Sequence, residues 1–418
     1  AHARPLEDKL YAEIVGRIRQ DDSSVPYRER GYWYYRRFDA GQEYPVHARR
    51  AGSLEAPEEI LLDLEQLAHG RDFYDVGEFE VSPDDRLLAY AEDTVGRRQY
   101  TLRFKDLASG ELLPDVIENV EPAVAWAADS RTVIYIEKDP QTLLGNRVRK
   151  HVLGTDSTAD PLVYEEPDDA FYLDVSRSKD GRHLYIHADS TVSSEQRFAD
   201  AADPALEFRV IVPRERDHEY QAEHFDGRWI LRSNWQAPNF RILEASLAGV
   251  EDRSQWRDLV AHRADAFLHG FSVFSEFLAI EERSGGLRKV RVRRWQGGDD
   301  FHLASDEPAY RAALGDNEEV GSRTVRYTYT SLTTPATTYD YDVRTGERRL
   351  LKQEPVLGGF DASRYATEYL WAPARDGARS PNSRVRCDAR RARRLHSWSP
   401  RRTPLRRCTA PPTSITSA

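Results

Sequence analysis

The chain has no methionine anywhere and no cysteine before Cys387. The missing initiator residue points to a chain processed or truncated at its N-terminus. A cysteine-free stretch of 386 residues excludes a disulfide scaffold and fits a reducing compartment, so a cytoplasmic location is expected. No run of 18 apolar residues occurs, which argues against a membrane-spanning helix and a membrane partner. Residues 1–5 show no basic segment followed by an apolar one, so no secretory signal is read there.

Chemical signatures are missing as well. There is no G-x-S-x-G nucleophile elbow, no H-E-x-x-H and no G-x-x-x-x-G-K-[ST]. The nearest approach to an elbow, Gly270-Phe271-Ser272-Val273, lacks the second glycine and reads as strand. Cys387 and Cys408 lie 21 residues apart without C-x-x-C or paired-histidine spacing, so no zinc pattern is present. His183 and His187, four apart, fall on one face of a strand and read as packing. The acidic pairs Glu165-Glu166, Asp168-Asp169, Asp299-Asp300 and Glu318-Glu319 sit in loop-like stretches, where solvated charge explains them. From the residues alone, the expectation is no catalytic, no cofactor-binding and no metal-ligating residue, and no cofactor.

What is present is a body of strands. Hydrophobic residues make up 39% and aromatics 11%, enough for a large core. Residues 3–20 read as a helix, with Leu6, Leu10 and Ile14 at i, i+4 and i+8. A helix of that length is marginal alone in water and needs a surface to pack on. From Gly31 the texture changes to aromatic-rich hairpins, first Tyr32–Phe38 with Tyr44–Arg50.

A superperiod follows. FEVSPDDRLLAYAED at 79–93, VAWAADSRTVIYIEKD at 124–139, LDVSRSKDGRHLYIHAD at 173–189 and AEHFDGRWILRSN at 222–234 each join two apolar strands through an acidic turn. The turn acids Asp84, Asp129, Asp180 and Asp226 recur at spacings of 45, 51 and 46. A weaker copy lies at 271–283, and a last one at 323–332. A second hairpin, strand–Asp–turn–Gly-Glu–strand, appears at 103–113 and 340–351. Two hairpins per unit give four strands, and four-stranded units at this period mark a β-propeller. The count is about seven blades, with six or eight also compatible.

Charge divides the chain. Residues 378–418 hold eleven Arg and one Asp, leaving 49 basic against 69 acidic residues before position 378. The acidic body disfavours nucleic acid and can steer basic ligands toward it. The tail, ARSPNSRVRCDARRARRLHSWSPRRTPLRRCTAPPTSITSA, has no strand or helix period. It reads either as a basic docking arm or as GC-rich DNA translated in a shifted frame.

Three segments carry a family resemblance: YAEIVGRIRQDDSSVPYRERGYWYYRRFDAGQEYPVHAR at 11–48, YEEPDDAFYLDVSRSKDGRHLYI at 164–186, and YTSLTTPATTYDYDVRTGERRLLKQEPVLGGFDASRYATEYLWAPARDG at 329–377. They resemble the prolyl oligopeptidase family of serine peptidases, closest to the oligopeptidase B group. The resemblance implies an all-β fold, a seven-bladed β-propeller with a short N-terminal helix, and a catalytic α/β-hydrolase domain missing from this chain. It further implies an N-terminal helical segment at 1–30, a propeller at 31–362, and a first strand or linker into the hydrolase domain at 363–377. Residues 378–418 are then a disordered, out-of-frame tail. The implied function is substrate gating for an enzyme that cleaves short peptides after Arg or Lys, with short basic peptides and the hydrolase domain as partners. This chain alone is then expected to be inactive, and no triad residue can be carried over. The competing reading is a stand-alone binding propeller with a basic C-terminal arm.

Overall fold

The repeat near 47 residues comes from hairpin turns with shared chemistry. In Ser82-Pro83-Asp84 and Ser178-Lys179-Asp180 the serine hydroxyl donates to the aspartate (2.6 and 2.7 Å). The same hydroxyl accepts the N–H that opens the next strand, from Leu87 or His183 (2.9 Å each). Asp129 accepts the N–H groups of Arg131 and Thr132 (3.0 and 2.8 Å). Asp226 and Gly227 make the turn by adopting positive φ (50° and 73°), a backbone that suits the twist of a two-residue hairpin. The second hairpin type is equally uniform. Asp106 accepts from Ser109 N–H at 2.7 Å, and Asp342 from Thr345 N–H at 2.8 Å. The glycine of each turn, Gly110 or Gly346, takes φ near 78°.

The computed structural model describes residues 4–297 and 300–387. Among these, antiparallel strands form seven consecutive four-stranded blades, at 27–63, 75–120, 120–165, 172–210, 220–260, 266–302 and 310–353. Blades 2 and 3 share one long strand, Leu112–Trp126, which closes one and opens the other. With four antiparallel strands per blade, the first begins and the last ends on one side of the ring, here the entry face. The turns joining strands one to two and three to four lie on the opposite, far face.

Apolar clusters fill six junctions, between blades 1 and 2 through to blades 6 and 7. Basic side chains add ties from blade to blade by donating to carbonyls. Arg49 reaches Asp85 O (2.8 Å), Arg232 reaches Leu268 O (2.8 Å) and Arg294 reaches Val343 O (2.6 Å). The seventh junction is different. Each of blades 1 and 7 is built from consecutive strands, so no strand is exchanged between them. Arg326 donates to Pro26 O (2.6 Å), and Lys352 donates to Asp22 and to Ser23 O (2.7 Å each). A cavity of about 490 Å³ lies beside this polar seam.

Four boundaries differ from the sequence expectation. The ring spans 27–353 rather than 31–362, because the short opening strand Tyr27–Glu29, just after Pro26, pairs with Tyr32–Arg37. The helix runs Arg4–Val15 and stops where Gly16 follows; glycine is a poor helix former. Residue 3 lies outside the described residues. The expected strand at 363–377 is Tyr365–Pro373, and it pairs with Arg379–Cys387 in a two-stranded hairpin. Nine residues assigned to a disordered tail are therefore strand, because Asp376-Gly377 makes the turn, with Gly377 at φ 85°. Residues 388–418 lie outside the described residues. No described helix is long and apolar enough to cross a membrane.

Candidate functional site

A cavity of about 1030 Å³ is lined by the first strands and far-face turns of blades 1 to 4 and by the 316–321 loop of blade 7. Its wall follows from strand alternation. Residues two apart on a strand share a face, so Tyr27 and Glu29, and Glu78 and Glu80, line it together, while blades 3 and 4 contribute the consecutive runs 124–126 and 175–181. Blade 7 adds Glu318 and Glu319. In the sequence that last pair reads as loop charge, and Glu78 and Glu80 do not stand out. The available signal was the acidic i, i+2 pair Glu78 and Glu80 flanking Phe79 inside the first strand, Asp75–Val81.

Crowding carboxylates on half-buried walls changes their titration. Burial, with the Asp174 charge, pushes Glu78 up to about 7. Burial, with Glu29 and Glu78 beside it, pushes Glu80 up to about 8. Burial also raises Glu318, and Glu29 adds to that. The tunnel therefore carries less negative charge at neutral pH than its composition implies.

Lys179 crosses the far mouth. It leaves the blade 4 turn, skips blade 5, and donates to Ser272 Oγ (2.8 Å) and Val273 O (2.7 Å) on blade 6. Its ammonium sits 3.7 Å from the centre of the Phe274 ring. Burial lowers it to about 8. Nearby Glu223, on blade 5, is pushed up to about 7 by burial. It accepts from Tyr185 Oη (3.1 Å) and from the Lys179 N–H (3.3 Å).

These shifts fix a sign. Between the ordinary glutamate value and about 8, an unfolded chain has released the Glu80 proton while the folded one keeps it, so stability falls as pH rises through that window. Glu80→Gln is expected to stabilise the ring at pH 8 by on the order of 1 kcal/mol, after allowing for solvent screening, and by far less at pH 5. Urea unfolding at the two pH values measures the difference. Equal effects at both would contradict the assigned burial.

The structure places the other residues singled out from sequence as follows. Asp84, Asp129, Asp180 and Asp226 are turn residues, as above. Ser272 accepts from Lys179 on the first strand of blade 6. Glu166 is buried and bonded by Tyr164 and Arg214, whereas Glu165 pairs with Arg147 at 2.9 Å. Asp168 accepts the Ala170 N–H (3.0 Å). Asp300 meets Arg291 and Arg293 (3.2 Å each), and Asp299 lies outside the described residues. His183 and His187 do share one strand, but they serve separate neighbourhoods. His187 bonds Ser176 Oγ at 2.8 Å, and His183 packs on His224 of blade 5 with ring centres 4.5 Å apart. Cys387 ends the last hairpin strand, and Cys408 lies outside the described residues.

Three comparisons bear on this geometry. A family model described as "Prolyl oligopeptidase, N-terminal beta-propeller domain" matches residues 1–354. Dipeptidyl aminopeptidase BI of Pseudoxanthomonas mexicana is 53% identical over 393 residues, covering 90% of this chain and 54% of the relative. Protease 2 of Moraxella lacunata is 31% identical, covering 91% and 56%. The solved structure of oligopeptidase B from Leishmania major superposes with a TM-score of 0.85 at 28% identity, covering 92% of this chain and 56% of that one. The chain thus spans about half the length of the relatives it matches.

Proposed function

The chain belongs to the prolyl oligopeptidase family through its N-terminal propeller domain, and we propose that it forms the substrate-admitting half of a serine peptidase. The partner half is an α/β-hydrolase domain that sits on the entry face and carries out acyl transfer to serine. The observation that carries this reading is the family match over the whole ring, joined to the cavity of about 1030 Å³ inside it. Two further observations support the docking side. The N-terminal helix buries none of its residues, and Leu6, Leu10 and Ile14 stand 61%, 48% and 60% exposed. Leu370 and Trp371, on the hairpin after the ring, are exposed as well.

For substrate, we infer short peptides cleaved after Arg or Lys. The acidic body favours cationic peptides, and the likeness to oligopeptidase B agrees. A second reading, removal of dipeptides from a free N-terminus, is favoured by the 53% identity to a relative named as a dipeptidyl aminopeptidase.

One assay separates these readings. The 418-residue chain, and the same chain extended by a hydrolase domain from the relative, are given an Arg-Arg fluorogenic amide with a free or a blocked N-terminus. No turnover by the chain alone and turnover by the extended protein are expected. Cleavage of both amides indicates endopeptidase action, and cleavage of the free amide alone indicates dipeptide release. Serine-inhibitor-sensitive turnover by the 418-residue chain itself would overturn the division of labour.

A further inference from the structure

At the junction of blades 4 and 5 the fold gathers three metal-binding side chains that the sequence scatters. Asp180 sits in the Ser178–His183 turn, His183 opens the second strand of blade 4, and His224 lies on the first strand of blade 5, 41 residues further on. One donor atom from each lies within 4.8 Å of the others. We propose that Asp180, His183 and His224 form a binding site for a divalent transition ion of the zinc class, which clamps blades 4 and 5 at the far mouth of the tunnel.

Each donor is oriented by its surroundings. Asp180 has one carboxylate oxygen held by Ser178 Oγ (2.7 Å) and Arg182 N–H (3.1 Å). Its other oxygen lies 2.5 Å from His224 Nδ1. His224 is buried, and its backbone N–H donates to Tyr185 Oη (2.9 Å). His183 presents a buried Nδ1 with no hydrogen-bond partner. Supporting groups that fix ligand orientation in this way are characteristic of metal sites.

The donor set decides the class of ion. Two imidazoles and one carboxylate match zinc, cobalt or nickel, whereas calcium and magnesium prefer all-oxygen shells. Metal–ligand bonds of about 2.0–2.1 Å place tetrahedral donors about 3.3 Å apart, so Asp180 and His224, in contact at 2.5 Å, must part slightly while His183 stays within 4.8 Å of both. The rings hinge on side-chain torsions, and the turn sits at the cavity edge, where Asp180 and Gly181 line the tunnel. Three protein ligands leave the fourth position to water from that side. The same turn carries Lys179, so the ion would also stiffen the strut across the mouth.

The test is titration of the purified chain, stripped with EDTA, with Zn²⁺ and separately with Ca²⁺, read by calorimetry and by Tm. The expected result is about one Zn²⁺ per chain with an upward Tm shift, and no response to Ca²⁺. His183→Gln and His224→Gln are each expected to weaken Zn²⁺ binding at least 10-fold while retaining the metal-free circular dichroism spectrum. Co²⁺ bound to the unaltered chain gives a readout that does not depend on the variants folding. A tetrahedral absorption without a thiolate charge-transfer band is expected. A thiolate band would assign the metal to Cys387 or Cys408 and overturn the proposal. So would failure of the unaltered chain to bind Zn²⁺, or unchanged affinity in both variants.

Discussion

His151→Ala is expected to destabilise the ring by about 3–5 kcal/mol, because it strands two buried carboxylates. His151 lies on the third strand of blade 3 and is fully buried. Its Nε2 faces Asp115 Oδ1 at 3.1 Å, and its Nδ1 faces Asp160 Oδ1 at 2.9 Å. Asp115 belongs to the shared strand Leu112–Trp126, so one imidazole ties blade 2 to blade 3. Both aspartates keep some partners. Gly154 N–H donates to Asp115, and Tyr135 Oη donates to Asp160 at 3.0 Å. Neither remaining donor is a charged group, and the two carboxylates would then face each other across a void beside Phe104. Adding Asp115→Asn to the His151→Ala chain removes one uncompensated charge and is expected to recover at least about 1 kcal/mol. Urea midpoints for the two variants check this. A loss below about 1 kcal/mol for His151→Ala would mean that the cluster is not sealed from water.

Trp229→Ala is expected to cost about 3–5 kcal/mol. Trp229 is fully buried on the second strand of blade 5 and fills the junction with blade 4. Its ring lies 4.8 Å from Phe198, 5.7 Å from His183 and 5.7 Å from His224 between centres. Truncation removes an entire wall that blade 4 packs on, and strands on both sides limit collapse into the void. Its Nε1 has no hydrogen-bond partner, so Trp229→Phe deletes an unsatisfied donor along with some packing and is expected to cost clearly less. The two substitutions together separate volume from polarity. Equal costs in thermal or urea unfolding would contradict the packing role assigned to the indole.

The ring was readable from sequence because its turns are chemical and local. Ser82-Pro83-Asp84 and Ser178-Lys179-Asp180 close hairpins within five residues, so their spacing appears directly as a period. Blades 6 and 7 use less regular connections, such as 315–323, and their repeats were correspondingly faint. The opening strand Tyr27–Glu29 is three residues long, too short to show alternation. The Arg379–Cys387 strand was hidden by arginine content, although the Asp376-Gly377 turn beside it is a standard hairpin signal. Function-bearing clusters were not readable. His183 meets His224, and Lys179 meets Ser272, across blade boundaries 41 and 93 residues apart in sequence. Nothing local marks such pairs, because radial packing of separate blades creates them. The tunnel carboxylates form an intermediate case. Glu78 and Glu80 are adjacent on one strand face, but that the face points to the axis follows only once the ring has closed.

Hydrogen exchange of residues 4–15 shows whether the helix is built to dock on a second domain. It is measured on the 418-residue chain at a concentration where it is monomeric, and on the same chain extended by a hydrolase domain from the relative. Near-unprotected amides are expected in the helix of the first protein, where Leu6, Leu10 and Ile14 are exposed, and strong protection in the second, if the added domain covers them. Strong protection in the isolated monomer, or none in the extended protein, would contradict a propeller built to receive a catalytic domain on its entry face.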